Sequence, residues 1–503
     1  MKQIIAGGMI DYATYAEATH NTVTLKGDVK VVKLYGGRVG INSFALEQPP
    51  VWFDDFTGNL LNVIATGTTG IEVTKTVSGF ERYRFLFDAD APGAAVGLLA
   101  KGTIYLNDWR EDEYYGRSAV IESVDFLAGQ VPKVGTQVVL MQADAIDDTN
   151  FTQTEAYGMS GINLEVNYGL SVGLGNPSWK LIATVNGVRA HPQMESPSQG
   201  RNAGLAFVTT GLGPVVKGIN GRPAGPDPGA CPGMFFEAEA GSMRYGYTAG
   251  YDLNSYMGAL GLNCGGEVGP GNLALGGYVD FAYGEYESSA ALGGRRVEGR
   301  GDLERIGGGL MARYDLDPKT VRDMGLEASL RFGQLRQNYT SEDFINAEND
   351  ARFNTESLYV GGHVGVSGKA WSSETSRIDV YGRYSHVWLQ GDRATVDGSA
   401  PVNFEDSSSM AARAGARLTK DFTPRLRLKL GLAYEQEFGG ETKATTNGYR
   451  IPTVSSAGGT GVAELGLAYG GDEPRRLSVG LGLEGHAGRR QGLAGNLSLS
   501  LAF

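Results

Sequence analysis

From Met234 to Phe503, apolar residues return at every second position. In the last segment Leu493, Leu497, Leu499, Leu501 and Phe503 share one face, and Ala494, Asn496, Ser498, Ser500 and Ala502 share the other. Before it, Leu477, Val479, Leu481 and Leu483 alternate with Ser478, Gly480, Gly482 and Glu484. Leu426, Leu428, Leu430, Leu432 and Tyr434 likewise oppose Arg425, Arg427, Lys429, Gly431, Ala433 and Glu435. A two-residue period belongs to strands, whose successive side chains point to opposite faces. Twelve such strands begin near Met234, Ser255, Asn272, Gly307, Gly325, Leu358, Arg377, Ser409, Arg425, Gly461, Leu477 and Gly495. Most reach about nine residues, enough to cross hydrocarbon when tilted.

The two faces differ in a way that a soluble sheet does not explain. The polar face mixes glycine and serine with Glu237, Glu239, Arg331, Arg383, Arg413, Arg417, Arg427, Lys429, Glu464 and Glu484, as a crowded hydrated lumen does. The other face is Leu, Val, Ala and aromatic. This is the outward-apolar, inward-polar pattern of an antiparallel transmembrane β-barrel, closed so that no strand edge lies unpaired in lipid. A large soluble barrel or sandwich explains one such strand as well; twelve repetitions favour the membrane. Tyr245, Tyr283, Tyr314, Tyr384, Trp388, Tyr434 and Tyr469 fall near strand ends, where interfacial aromatic girdles lie. The links alternate in length: Cys264–Gly271, Asp315–Met324, Ser372–Ser376, Asp421–Pro424 and Gly470–Arg475 are short, while Glu287–Ile306, Thr340–Ser357, Gly391–Ser408 and Gly439–Gly459 are long. Short periplasmic turns and longer external loops are the barrel pattern. Cys231 before the first strand and Cys264 at the end of the second then fall on the same rim, where the oxidising periplasm permits a disulfide.

Residues 1–190 read differently. Asn21-Thr22-Val23-Thr24-Leu25-Lys26-Gly27 alternates, and further β-branched segments follow at Gly70–Val77, Tyr83–Phe87, Gly102–Leu106 and Thr136–Met141, parted by turn residues. The region is all-β. Its irregular spacing with polar rungs fits a parallel β-helix, with a β-sandwich as the alternative. Between the two regions, Ser196-Pro197-Ser198-Gln199 predicts a helix start, with Ser196 or Ser198 as the N-cap and the helix running through Arg201, Asn202, Leu205, Phe207, Val208, Leu212, Val215, Val216 and Lys217. Gly204, Gly211 and Gly213 weaken it unless something packs closely around it. Gly221-Arg222-Pro223-Ala224-Gly225-Pro226-Asp227-Pro228-Gly229 ends it. The expected organisation is 1–190, then a linker and helix over 191–230, then a barrel over 231–503.

Composition agrees. Glycine supplies 76 of the 503 residues, without a three-residue period, so collagen is excluded. Apolar and aromatic residues are too plentiful for disorder. The net charge of −12 argues against nucleic acid as a partner. The first eleven residues, Met1 to Asp11, lack the continuous apolar core of a secretory signal, an expectation that conflicts with export.

Taken together, these features resemble a bacterial autotransporter of type V secretion. The β-rich N-terminal region corresponds to the passenger, and Gly135–Ala143 with Trp179–Val185 is similar to the junction that nucleates passenger folding. The resemblance implies a β-helical passenger, a pore-threading α-helix containing Arg201, Asn202, Leu205, Phe207 and Lys217, and display at the surface of a Gram-negative cell. It further implies that Leu497, Leu499, Leu501 and Phe503 form the insertion signal read by the barrel-assembly machinery, although the family often has an aromatic where Leu501 stands. The other partners implied are outer-membrane lipid and a host or cell-surface receptor, with adhesion as the role.

The same residues carry no catalytic pattern. Gly158-Met159-Ser160-Gly161 misses the nucleophile-elbow spacing, and His20, His191, His363, His386 and His486 form no zinc pair. Asp144, Asp147 and Asp148 lack calcium-loop spacing. No enzyme activity, metal or cofactor is expected. The rival readings are a porin-like channel with a soluble N-terminal domain and a hydrolase passenger.

Overall fold

The computed structural model describes residues 2–6, 9–13, 19–27, 29–41, 51–53, 58–65, 71–87, 96–106, 118–126, 131–175, 177–220, 233–246, 250–316, 324–347, 349–470 and 476–502. It divides into two compact units, residues 1–191 and 192–503.

The N-terminal unit is a mixed sheet built on two parallel ladders. One stacks Thr22–Lys26, Leu60–Ala65, Arg82–Phe87 and Val120–Phe126. The other stacks Lys2–Ala6, Lys30–Tyr35, Ile71–Val73, Val96–Tyr105 and Gln137–Asp147. From Thr22 to Asp147 these strands alternate between the ladders along the chain. Three antiparallel strands follow: Glu155–Ser160, Leu164–Gly175 and Ser178–Ala190, the last pairing back onto Gln137–Asp147. Alternate side chains of the ladders point into a shared core. Tyr83, Phe85 and Phe87 stack at 6.4 and 6.3 Å between ring centres, and Phe126 meets Phe87 at 5.8 Å. Asn59 is buried at a corner, where it accepts the Asn21 amide at 2.8 Å and donates to the Gly79 carbonyl at 3.1 Å. At Asp125, the Ser123 hydroxyl and the Met159 amide donate to the carboxylate at 2.7 and 2.8 Å, linking a ladder strand to the antiparallel strands.

The C-terminal unit is a barrel of twelve strands. They are β1 Gly233–Tyr245, β2 Gly250–Val268, β3 Gly271–Leu292, β4 Arg295–Leu316, β5 Met324–Ser341, β6 Ala351–Ser372, β7 Ser376–Leu389, β8 Ser407–Asp421, β9 Leu426–Glu437, β10 Gly458–Gly470, β11 Arg476–Gly488 and β12 Arg490–Ala502. Each pairs antiparallel with the next, and β1 pairs with β12 from Gly233↔Ala502 to Tyr245↔Arg490, which closes the cylinder. Ahead of β1 a 3-10 turn at Pro192–Met194 leads into α1, Glu195–Thr210, and α2, Leu212–Asn220.

The alternation holds. Val279, Phe281, Leu310, Leu330, Val364, Leu432, Leu467, Leu481 and Leu493 are exposed on the outer wall, while Glu237, Asp280 and Arg331 are buried within. Tyr283, Tyr384, Trp388, Tyr434 and Tyr469 are exposed as girdle residues should be. Tyr314 is half-buried, and its hydroxyl donates to the Val268 carbonyl at 2.9 Å. Tyr245 departs from expectation: it is buried, with its ring stacked on Tyr251 at 4.7 Å, because its register on β1 places it on the lumenal face.

Three further expectations are corrected. The loop expected over Glu287–Ile306 is paired strand, joined by a tight turn at Gly293-Gly294, whose φ values of 53° and 88° match the left-handed geometry of short hairpins. Beyond the apolar belt the outer face no longer meets lipid, so Glu298, Arg300 and Glu304 stand exposed there and hide the strand from a reading based on alternation. The loops expected at Gly391–Ser408 and Gly439–Gly459 contain Asp392–Val396, Ala400–Phe404, Ala444–Thr446 and Tyr449–Arg450, which form a separate four-stranded sheet. The helix starts at Glu195, with Met194 at the N-cap position, and neither Ser196 nor Ser198 caps it. The chain is already turning at Pro192–Met194, and the Ser196 hydroxyl is drawn instead to Tyr339 at 2.7 Å.

Burial holds the Asp125 carboxyl above the usual carboxylate range, against the pull of its two donors. A carboxyl raised on folding favours the native state in acid, and that advantage is lost as pH rises through its native value. Asp125→Asn should therefore gain stability relative to wild type as pH is raised from mildly acid to neutral. Denaturant unfolding of the full chain, followed by signals from the N-terminal unit, checks the sign.

Candidate functional site

The lumen is occupied along its length by α1 and α2. The helix enters at the end carrying the long connections and leaves toward the end where β2 meets β3 and β6 meets β7 through short turns. Its glycines make this possible. At Gly200, Gly204, Gly211 and Gly218, spaced four, seven and seven residues apart, an added Cβ would collide with Tyr286, Gln337, Arg305 and Phe235. Those side chains stand on β3, β5, β4 and β1, so the small-residue stripe lies against the β1–β5 side of the wall.

Polar side chains hold the upper half. The Ser196 hydroxyl meets Ser288 at 3.2 Å and Tyr339 at 2.7 Å, the Gln199 side-chain Oε1 accepts the Ser289 amide at 2.9 Å, and Gln337 donates to the Gly200 carbonyl at 2.6 Å. Arg201 is buried, and among the described residues it forms no ion pair with a lumenal carboxylate. It donates to Ser357 Oγ at 2.8 Å and to the Gln390 carbonyl, under the Phe404 ring at 5.8 Å. Asn202 donates to the Gly440 carbonyl at 2.8 Å and Thr442 Oγ1 at 3.0 Å, and its own oxygen accepts the Tyr251 hydroxyl at 3.0 Å. Residues 201 and 202 thus bind both loops that build the four-stranded sheet. Leu205 and Phe207 are buried, with Phe207 beneath the Arg305 guanidinium at 5.3 Å.

The lower half is held by charge. Lys217 Nζ lies 2.7 Å from Glu239 and 2.8 Å from Glu484. Arg413 reaches Glu464 at 2.6 Å and Glu484 at 3.6 Å, and Arg417 reaches Glu464 at 2.7 Å. Arg383 pairs with Glu327 at 3.0 Å, and Ser498 donates to Glu237 at 2.7 Å. Arg331 faces Asp280 at 3.1 Å. Arg427 stands at the rim and pairs with Asp421 at 2.6 Å, while Lys429 lines a cavity of about 270 Å³ beside α2 together with Glu237, Arg417 and Glu464. The expected lumenal residues therefore do face the interior.

Leu497, Leu499 and Leu501 lie on the outer face of β12, where Leu497 is level with Ala238 and Leu481 and Leu499 with Phe236 and Val479. Phe503 lies outside the described residues. Cys264 is disulfide-bonded, and the chain's other cysteine, Cys231, also lies outside them. Arg305, Tyr251, Gln337 and Tyr339 carry no mark in the sequence pattern, because each sits where a strand has left the apolar belt or where the lumenal residue is not charged.

Replacing Lys217 by Met leaves Glu239 without its cation and Glu484 with only the more distant Arg413, which should cost the barrel ~3 kcal/mol. Adding Glu239→Gln should return part of the loss. Thermal unfolding in detergent micelles reads both.

Residues 236–484 match the Autotransporter beta-domain family. Among solved structures, the transport unit of the autotransporter AIDA-I from Escherichia coli is 14% identical, with 62% of this chain and 99% of that one covered at a TM-score of 0.44. The beta domain of the Bordetella autotransporter Brka is 14% identical, covering 54% and 98% at 0.42. The translocator domain of NalP from Neisseria meningitidis is 12% identical, covering 59% and 97% at 0.46. No curated protein matches the chain by sequence. The family match, on a closed twelve-stranded barrel threaded by a helix, makes the C-terminal unit an autotransporter β-domain of the outer membrane and places this chain in the autotransporter family.

Proposed function

We propose that the barrel exports the chain's own N-terminal unit and displays it on the cell surface as a β-helical passenger used in adhesion. The observation that carries the translocation reading is the helix itself. It joins the N-terminal unit to β1 by way of the lumen, the position left by a chain that has passed outward through the barrel. The two parallel ladders support a β-helical passenger, since stacked coils need parallel pairing. Passenger folding outside then favours forward movement, and the helix stays behind as a plug. The adhesive role rests on the family's common use of its passengers.

The exposed apolar wall fits lipid as the barrel's surroundings, and the outward Leu497, Leu499 and Leu501 fit an insertion signal for the barrel-assembly machinery. A porin-like channel is the weaker reading, because α1 and α2 fill the lumen that a porin leaves open.

An epitope placed ahead of the N-terminal unit should be reached by antibody on intact cells and be shaved by external protease, while the barrel survives. The adhesin reading further expects purified N-terminal unit to coat host cells saturably. An epitope reached only after cell lysis would overturn display, and no saturable binding would overturn adhesion.

A further inference from the structure

The helix in the lumen is broken, and the sequence dictates where. Pro214 has no amide for the Thr210 carbonyl, and its ring crowds that carbonyl. α1 therefore ends at Thr210 and α2 begins at Leu212, with Gly211 between them. The Gly211 amide turns to the Val208 carbonyl, three residues back, at 3.2 Å. The Phe207 carbonyl, its partner in an unbroken helix, is released.

Two barrel arginines meet this break. Arg305 Nη1 donates to the Phe207 carbonyl at 2.8 Å, and Arg331 Nη1 donates to the Val208 carbonyl at 3.0 Å. Behind them Asp280 Oδ2 lies 3.0 Å from Arg305 and 3.1 Å from Arg331, and Arg331 also donates to the Tyr359 hydroxyl at 3.2 Å. Asp280, Arg305 and Arg331 are 2%, 3% and 0% exposed. One carboxylate for two guanidiniums leaves an excess positive charge in the barrel interior. It faces the C-terminal end of α1, where the helix dipole is negative. Gly211 completes the fit, since a Cβ there would occupy the Arg305 guanidinium.

This arrangement reads backbone, not side chains. Inside a helix, carbonyls are consumed by amides four residues on; along an extended chain, neighbouring carbonyls point to opposite sides. Adjacent carbonyls that point the same way and each have room for a further donor occur at a helix end. We propose that Asp280, Arg305 and Arg331 form a stop that fixes the depth at which the helix comes to rest, and that the Gly211–Pro214 break is the signal it reads. The inference rests on the translocator reading and adds to it the groups that end the movement. Thr209 and Thr210 donate to the Leu205 and Phe207 carbonyls at 2.9 and 3.0 Å, which shields the break without supplying the charge that the arginines bring.

The test uses the full chain with an N-terminal epitope, purified from outer membranes and recorded in planar lipid bilayers. Pro214→Ala restores the missing amide and should raise the open fraction of the pore by on the order of tenfold or more, the scale of one lost charge-assisted hydrogen bond. Arg305→Met with Arg331→Met should do the same. The three changes together should open it no further than either set alone, because both remove one interaction. Surface exposure of the epitope should persist throughout. A Pro214→Ala pore as closed as wild type, or effects that simply multiply, would overturn the stop. If the arginine variants lose the barrel's heat-modifiable migration, Pro214→Ala decides alone, since it leaves the wall untouched. Failure of the wild-type epitope to reach the surface would instead strike the translocator reading itself.

Discussion

A peptide group in hydrocarbon has no water to pair with, so the pairing of β1 with β12 is the constraint on which the rest depends. Thirteen residue pairs join those strands, from Gly233↔Ala502 to Tyr245↔Arg490, and they turn an open sheet into a wall without edges. Once the wall is closed, its two faces meet different solvents. Leucine and valine outside face hydrocarbon, while the small and charged residues inside surround the threaded helix. Carboxylates and guanidiniums crowded there, such as Glu464 between Arg413 and Arg417, offset each other's desolvation.

What could be read in the sequence follows from those solvents. Lipid enforces its demand at every second residue, so Leu481, Leu483, Leu493 and their neighbours announce the wall. Where lipid ends, the signal ends. Arg305 lies one residue beyond the exposed Ile306, past the reach of alternation, and so the arginine that meets the helix fell within an expected loop. Tyr245 shows the same limit from inside, since a tyrosine at a strand end looks like a girdle residue until register assigns its face. The helix was legible in outline from its apolar residues and its terminal Gly-Pro run. Its start was not, because Ser196 and Pro197 have the chemistry of a cap while tertiary partners claim the serine hydroxyl.

The N-terminal unit was harder to read. Its strands are short, and several pair through only a few residues, as Ile71–Val73 does. Parallel pairing leaves no mark on local sequence, because it depends on which distant segment returns alongside. The inward aromatic run Tyr83, Phe85 and Phe87 was visible as a strand, but not as a stack of rings shared with Phe126.

The glycine stripe on the helix changes how mutations weigh on this protein. Most buried segments suffer when atoms are removed, since a cavity opens. Along Gly200, Gly204, Gly211 and Gly218 the order is reversed, because a single added methyl would meet Tyr286, Gln337, Arg305 or Phe235 and push that wall side chain from its place. The threaded segment is accordingly a size filter acting on its own gene: it admits few substitutions at those four codons, whatever freedom the exported region enjoys.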